Sequence, residues 1–155
     1  MDFEINQPKV HYGGFWIRFV AYFIDGIINN IIGIIIGFVL SIISGFSMAA
    51  NNIPADAVNM AFIKLGSFGL SLIASWLYFA LFQSSKLQAT PGKMIFGLIV
   101  VDQEYKRLSF ARATGRFFAT FLSTIIIFIG FIMAAFTKNK RALHDYVAGT
   151  YVIYK

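Results

Sequence analysis

The chain has 155 residues, of which 58% are hydrophobic and only 13% charged, with a formal net charge of +6. A soluble domain carries about twice that share of charge, and 18 Phe set in long apolar runs exceed what a water-soluble core of this size could hide. With a mean hydropathy of +0.72, the composition indicates an integral membrane protein, and the lack of cysteine excludes disulfides, thiolate metal sites and cysteine nucleophiles.

Residues 1–13 mix acids with bases and lack a basic leader region; the distribution of basic residues along the chain makes them an expected cytoplasmic tail. A single domain is expected over 14–155. The first span is predicted over 15–43, FWIRFVAYFIDGIINNIIGIIIGFVLSII. At about 1.5 Å per residue this crosses a hydrocarbon core of about 30 Å with some tilt. The run is too long for a signal-peptide core and is read as retained, although Ser47-Met48-Ala49 faintly resembles a cleavage site.

Asp25 is the most informative residue of this span, because a carboxylate within an apolar helix needs a buried partner, an aqueous pocket or an ion to be tolerated. Arg18, Tyr22, Asp25 and Asn29 share one helical face. Gly33 and Gly37 fit the small-residue pattern of close helix packing. The segment 45–64, with Asn51-Asn52 and Pro54, reads as a loop with one amphipathic turn.

The second span is predicted over 66–83 and carries no charge. Ser67, Ser71 and Ser75 form a four-residue ridge expected to pack on the polar face of the first helix. Gln88 to Lys93 lacks the glycine spacing of a phosphate loop, and Thr90-Pro91-Gly92 reads as a turn launching a strand over 94–102. A second strand is expected over 149–155. Neither strand can stand unpaired in lipid, so each is the simplest partner for the other, in a small cytoplasmic sheet.

A third helical region is expected over 109–137, capped by Ser109. Arg112 and Arg116 lie on one face and are candidate partners of Asp25, being better placed than Arg18, which sits about 10 Å away along the first helix. Basic residues cluster before the first span, over 86–116 and after 137, with only Lys64 between the first two spans. By the positive-inside rule both termini are then cytoplasmic and the third region must return. This favours a break near Gly130 over a straight crossing. The architecture expected is an all-α membrane protein with two full transmembrane helices, a third broken or re-entrant helical segment and a small cytoplasmic β-sheet.

The basic stretch around Lys138, Lys140 and Arg141 is expected to contact anionic lipid headgroups. The two histidines, His11 and His144, make a weak case for metal, and no nucleophilic, cofactor-binding or nucleic-acid-binding motif is present.

The chain resembles the RDD family of small bacterial and archaeal membrane proteins, named for one arginine and two aspartates. The likeness lies in GGFWIRFVAYFID with Arg18 and Asp25, in Thr90-Pro91-Gly92-Lys93 followed by GLIVVD, in Arg116, and in RALHD ahead of Ala148-Gly149-Thr150. It runs over 13–155 and departs at Gln103-Glu104, where an Asp-Gly turn is common. The resemblance implies that Asp145 is the second named aspartate, and it implies transport of an unidentified ligand.

The residues themselves leave two functions open. In one, a multi-pass cell-membrane protein moves cations, protons or a small solute as an oligomer, with Asp25 as acceptor, Arg18 and Arg116 as tuners, and Asn29, Ser71 and Ser75 as liners. In the other, a scaffold binds lipid or a partner protein, with Asp25 serving stability and Asp145 clamping Arg116. No enzyme activity is expected.

Overall fold

A computed structural model describes residues 10–125, 129–137 and 139–155. Helix α1 runs over Phe15–Ala50 and α2 over Ala57–Ser84. Both exceed the predicted spans. Ser44, Gly45 and Ser47 leave the end of α1 unbroken, and α2 begins early because Asp56 accepts a 2.8 Å hydrogen bond from the backbone of Asn59. The loop predicted over 45–64 therefore shrinks to 51–56. These two helices are long and apolar enough to cross a membrane. They leave Phe23, Ile34, Phe38, Phe62 and Phe68 exposed along their outer faces, as lipid-facing helices do.

The segment after α2 departs from expectation. Pro91–Ile95 is a short helix, α3, and strand β1 covers only Leu98–Asp102. The switch falls at Gly97, whose φ of +64° suits glycine. Strand β2, Thr150–Tyr154, pairs antiparallel with β1 in the register Val100↔Val152, so the two predicted strands do find each other. The N-terminal segment joins this unit, with Gly13 N donating to Val152 O at 3.0 Å and Tyr154 N donating to His11 O at 3.0 Å.

The third helical region comprises α4, Phe110–Ile125, and α5, Ile129–Phe136, on either side of residues outside the description. Ser109 Oγ accepts from Arg112 N at 3.3 Å, forming the expected cap. Arg116 on α4 and Ala134 on α5 lie at the same end of the molecule, for Arg116 shares Asp145 with Arg18 and Ala134 borders a crevice with Arg18 and Ala142. Helix α6, Leu143–Ala148, closes this end, and Gly149 (φ +60°) turns the chain into β2. The apolar core here joins Ala80, Leu98, Val100, Leu108, Ala113 and Val152, with Trp76 and Ile17 packed against it.

Candidate functional site

The same end of the molecule buries two carboxylates by two different means. Asp145 sits in the first turn of α6, where its Oδ2 accepts from the backbone of Ala142 at 3.1 Å and so caps its own helix. The same oxygen takes Arg18 Nη1 at 2.5 Å. Oδ1 takes Arg116 Nη2 at 2.7 Å and Nε at 3.1 Å. Arg116 also donates to Gln83 Oε1 at 2.6 Å, and Arg18 to the Val152 carbonyl at 3.3 Å. This one carboxylate thus ties α1, α4 and α6 together, with α2 and β2 joined through the arginines.

All of these groups are buried, and the electrostatics follow from that. Burial alone would raise the Asp145 pKa, but Arg116, His144 and Arg18 outweigh it and hold the carboxyl well below the usual carboxylate range. The neighbouring imidazole of His144 lies 3.6 Å from Asp145 Oδ1. Burial, and after it the positive charge of the arginines, pushes His144 down to about 3, against the pull of Asp145.

Asp25 lies about 15 Å along α1 from Phe15, in the first third of a helix about 54 Å long, and it is completely buried. Its Oδ1 accepts from Gly92 N at 2.8 Å and from Tyr78 Oη at 2.9 Å. Its Oδ2 accepts from Thr90 Oγ1 at 2.5 Å and faces Lys93 Nζ at 3.9 Å. The close seat requires glycine at 92, because a Cβ there would run into the Ala21 carbonyl and stand 2.8 Å from the Asp25 carboxyl carbon. The Lys93 ammonium also donates to Thr90 Oγ1 at 3.3 Å and rests 4.4 Å above the Tyr22 ring. Burial first, and then repulsion from Arg116, lowers the Lys93 pKa to about 7, while Asp25 opposes the shift.

Several expected relationships are therefore corrected. Arg18 and Arg116, anticipated as tuners of Asp25, are both held by Asp145. Arg112 points the other way and meets Asp102 at 3.1 Å on the surface. Thr90-Pro91-Gly92 launches no strand but opens α3 and holds Asp25. Lys93, expected just ahead of a strand and without a role, is the cation that faces Asp25; its signal is an isolated charge beside an apolar stretch.

Asn29 donates back to the Asp25 carbonyl at 2.9 Å. Ser71 donates to Ser67 O at 2.8 Å and lies opposite Gly33, while Ser75 borders a cavity between α1, α2 and α4. Lys138 lies outside the described residues. Lys140 is exposed, whereas Arg141 is engaged over the rings of Tyr146 and Tyr151, at 4.1 and 4.8 Å. Among the described residues, no cluster of three His, Cys, Asp or Glu could hold a metal ion.

The RDD family model matches residues 12–149, a stretch that includes both carboxylate centres. The chain belongs to the RDD family. Arg18, Asp25 and Asp145 occupy this RDD domain as a bonded pair, Arg18 with Asp145, and a separately held Asp25. The chain is 42% identical over 147 residues to "Uncharacterized protein YxaI" of Bacillus subtilis strain 168, covering 92% of this chain and 97% of that one. It is 28% identical over 157 residues to "Uncharacterized membrane protein YteJ" of the same organism, covering 93% and 82%. No solved structure matches the RDD chain. The family and the membrane-protein relative agree with the two long apolar helices in identifying a membrane protein.

Proposed function

We propose that this RDD protein is a non-enzymatic, multi-pass membrane protein that exchanges a monovalent cation for a proton at the Asp25–Lys93 pair. The observation that carries this reading is the arrangement of oxygens. The Asp25 carboxylate, Thr90 Oγ1 and Tyr78 Oη converge at one buried point, and the Lys93 ammonium faces Asp25 Oδ2 at 3.9 Å and Thr90 Oγ1 at 3.3 Å. Hard monovalent cations favour such oxygen ligands. The ammonium is thus a built-in competitor for the place a cation would take.

With its pKa lowered to about 7, Lys93 releases its proton near neutral pH. Asp25 is then left with its negative charge uncompensated, and a cation restores the balance. Reprotonation of Lys93 expels the cation. Arg18, Arg116 and Asp145 hold the surrounding helices in place, and Asn29, Ser71 and Ser75 supply polar groups on the neighbouring helix faces.

The same proposal puts the sheet and both termini in the cytoplasm. Lys86, Lys106, Arg107, Arg112, Lys140 and Lys155 lie at the sheet end, against Lys64 at the opposite end of α2, and this supports the orientation. The helices α4 and α5 form a re-entrant pair in this reading, since Arg116 and Ala134 lie at one level. Lys140 contacts anionic headgroups. A single chain gives little room for a pathway, so the working unit is an oligomer.

The test is reconstitution into vesicles carrying an interior-acid pH gradient and acridine orange. Adding sodium, potassium or lithium outside should release the dye with wild-type protein, and Asp25→Asn, checked for folding by gel filtration and melting, should abolish the release. Lys93→Met should remove its dependence on pH. Wild-type vesicles that respond to none of the three cations overturn the reading. The full set of partners on both carboxylates favours the alternative of a scaffold, which Asp25→Asn would weaken in stability alone.

A further inference from the structure

Between α1, α2 and α4 lies a cavity of about 530 Å³ that the ion-pair chemistry does not use. Its size falls in the range of small-ligand sites. Phe15, Phe19, Phe23, Phe79, Phe117 and Phe121 line it. Phe19, Phe23 and Phe121 are also about half exposed on the outer faces of their helices, at 52%, 63% and 45%. The cavity is therefore continuous with the surface that faces the bilayer.

Six polar side chains interrupt this wall, and three of them, Asn29, Ser75 and Gln83, keep hydrogen-bonding capacity that is not fully spent. Asn29 has used its amide nitrogen on the Asp25 carbonyl, and its Oδ1 is buried without a donor. Gln83, only 3% exposed, has used its Oε1 on Arg116; among the described residues its amide nitrogen has no acceptor. The Ser75 hydroxyl likewise has no side-chain hydrogen bond among them. Leaving such groups unmet costs free energy that a matching ligand recovers. The ligand needed supplies a donor to Asn29 and an acceptor to Gln83.

The charge of the ligand is constrained too. Arg116 borders the cavity, but its guanidinium is already committed to Asp145 and Gln83. An anionic headgroup would have to take Arg116 from a buried carboxylate, and a cationic one would meet no free carboxylate among the residues lining the cavity. An uncharged headgroup is the one that fits.

We infer that this cavity binds an uncharged lipid carrying a hydroxyl beside an ester carbonyl, of the diacylglycerol type. The hydroxyl donates to Asn29 Oδ1, the carbonyl accepts from the Gln83 amide, and an acyl chain lies against the phenylalanines. The inference is separable from cation exchange: Asn29 and Ser75 border both places, but none of the groups offered to the lipid bonds the Asp25 carboxylate, and lipid retention is read without cation flux.

Native mass spectrometry of the full chain, released from detergent with equal amounts of 1,2-dioleoylglycerol and dioleoylphosphatidylglycerol, tests it. The two lipids share their acyl chains and differ in headgroup charge, so a charge-blind apolar groove would retain them equally. Wild-type protein should retain one dioleoylglycerol in at least tenfold preference. Asn29→Leu, which keeps the volume and removes the acceptor, should cut retention about tenfold, and Ser75→Phe, which fills the cavity, should do the same. Thermal melting of both variants identifies any that fail to fold, and a retained melting transition makes the loss of lipid specific. Equal retention of the two lipids, or unchanged dioleoylglycerol retention in both folded variants, overturns the assignment.

Discussion

Asp145 and Asp25 are equally buried, yet one is secured by permanent charge and the other mainly by neutral donors. Around Asp145 stand two guanidiniums, which stay charged at any pH the protein meets, and together they fasten α1 and α4 to α6. Around Asp25 stand a hydroxyl, a phenol and a backbone N–H, with a single ammonium at 3.9 Å. The first arrangement can hold only one charge state. The second contains a cation that is able to lose its charge. A fastening and a changeable site thus lie within one small folded end, and the distinction comes from arginine against lysine.

The sharpest way to break the contrast is Asp145→Asn. It leaves two buried guanidiniums without a counter-charge, and removing one partner of a buried pair costs about 3–5 kcal/mol. We expect loss of the folded species in detergent, read as the absence of a cooperative melt. Asp25→Asn keeps an acceptor for Gly92 and Tyr78 and should cost about 1–3 kcal/mol, leaving a measurable transition. Equal losses in the two variants would erase the distinction.

A steric probe comes next. Gly92→Ala inserts a methyl between the Ala21 carbonyl and the Asp25 carboxyl, and overpacking of this kind costs about 1–3 kcal/mol. Melting should fall accordingly, and because the clash displaces α3, the Lys93 ammonium should move with it. A variant that melts like wild type would mean that α3 does not seat on α1 at this point.

How much of this could be read beforehand depends on whether a signal is local. The burden of Asp25 is local, for a carboxylate in an apolar helix has to be sheltered, and that expectation holds. So does the pairing of LIVVD with TYVIY, because neither strand has another way to satisfy its backbone. Partner choice is not local. Arg18 and Asp25 share a helical face and Arg116 is expected to be the better-placed partner for Asp25, yet both arginines bond Asp145, for Arg18 a residue 127 positions away. Nothing in the spacing of Thr90-Pro91-Gly92 reveals that glycine is needed for close approach to another helix, since that need exists only once α1 is beside it. The role of Lys93 is hidden for the same reason, since its neighbours in sequence do not include Asp25.

Titration separates the two centres by pH window, with the same sign in each. Lys93 falls from its ordinary 10.5 to about 7 in the folded chain, so between these values the unfolded chain holds more protons and stability rises with pH. Chemical unfolding followed from pH 7 to 10 should show this slope, and Lys93→Met should flatten it. In acid the slope has the same sign and a different source. His144, pushed down to about 3 from 6.5, stays neutral in the fold and protonates on unfolding, so stability drops as pH falls through that window. Asp145 adds to the loss from its ordinary 3.8 downward, because its folded pKa is held below the usual carboxylate range. An alkaline slope that persists in Lys93→Met would assign the titration to another group.

The smallest effect is expected at the surface, where the same pair of residue types is solvated. Arg112 meets Asp102 at 3.1 Å, but its side chain is 45% exposed. Asp102 also accepts from the backbone of Glu104 and Lys106, each at 2.9 Å, which shapes the turn after β1 without any help from arginine. Exposed pairs of this kind contribute about 0–1 kcal/mol. Arg112→Ala should therefore shift melting by no more than a degree or two, and added salt should shrink even that difference. Arg116, one turn further along α4, presents the same guanidinium to the same kind of carboxylate, so the distance between the melting curves of Arg112→Ala and Arg116→Ala would measure what burial, together with the added bonds to Gln83 and the carboxylate shared with Arg18, does to an arginine–aspartate bond.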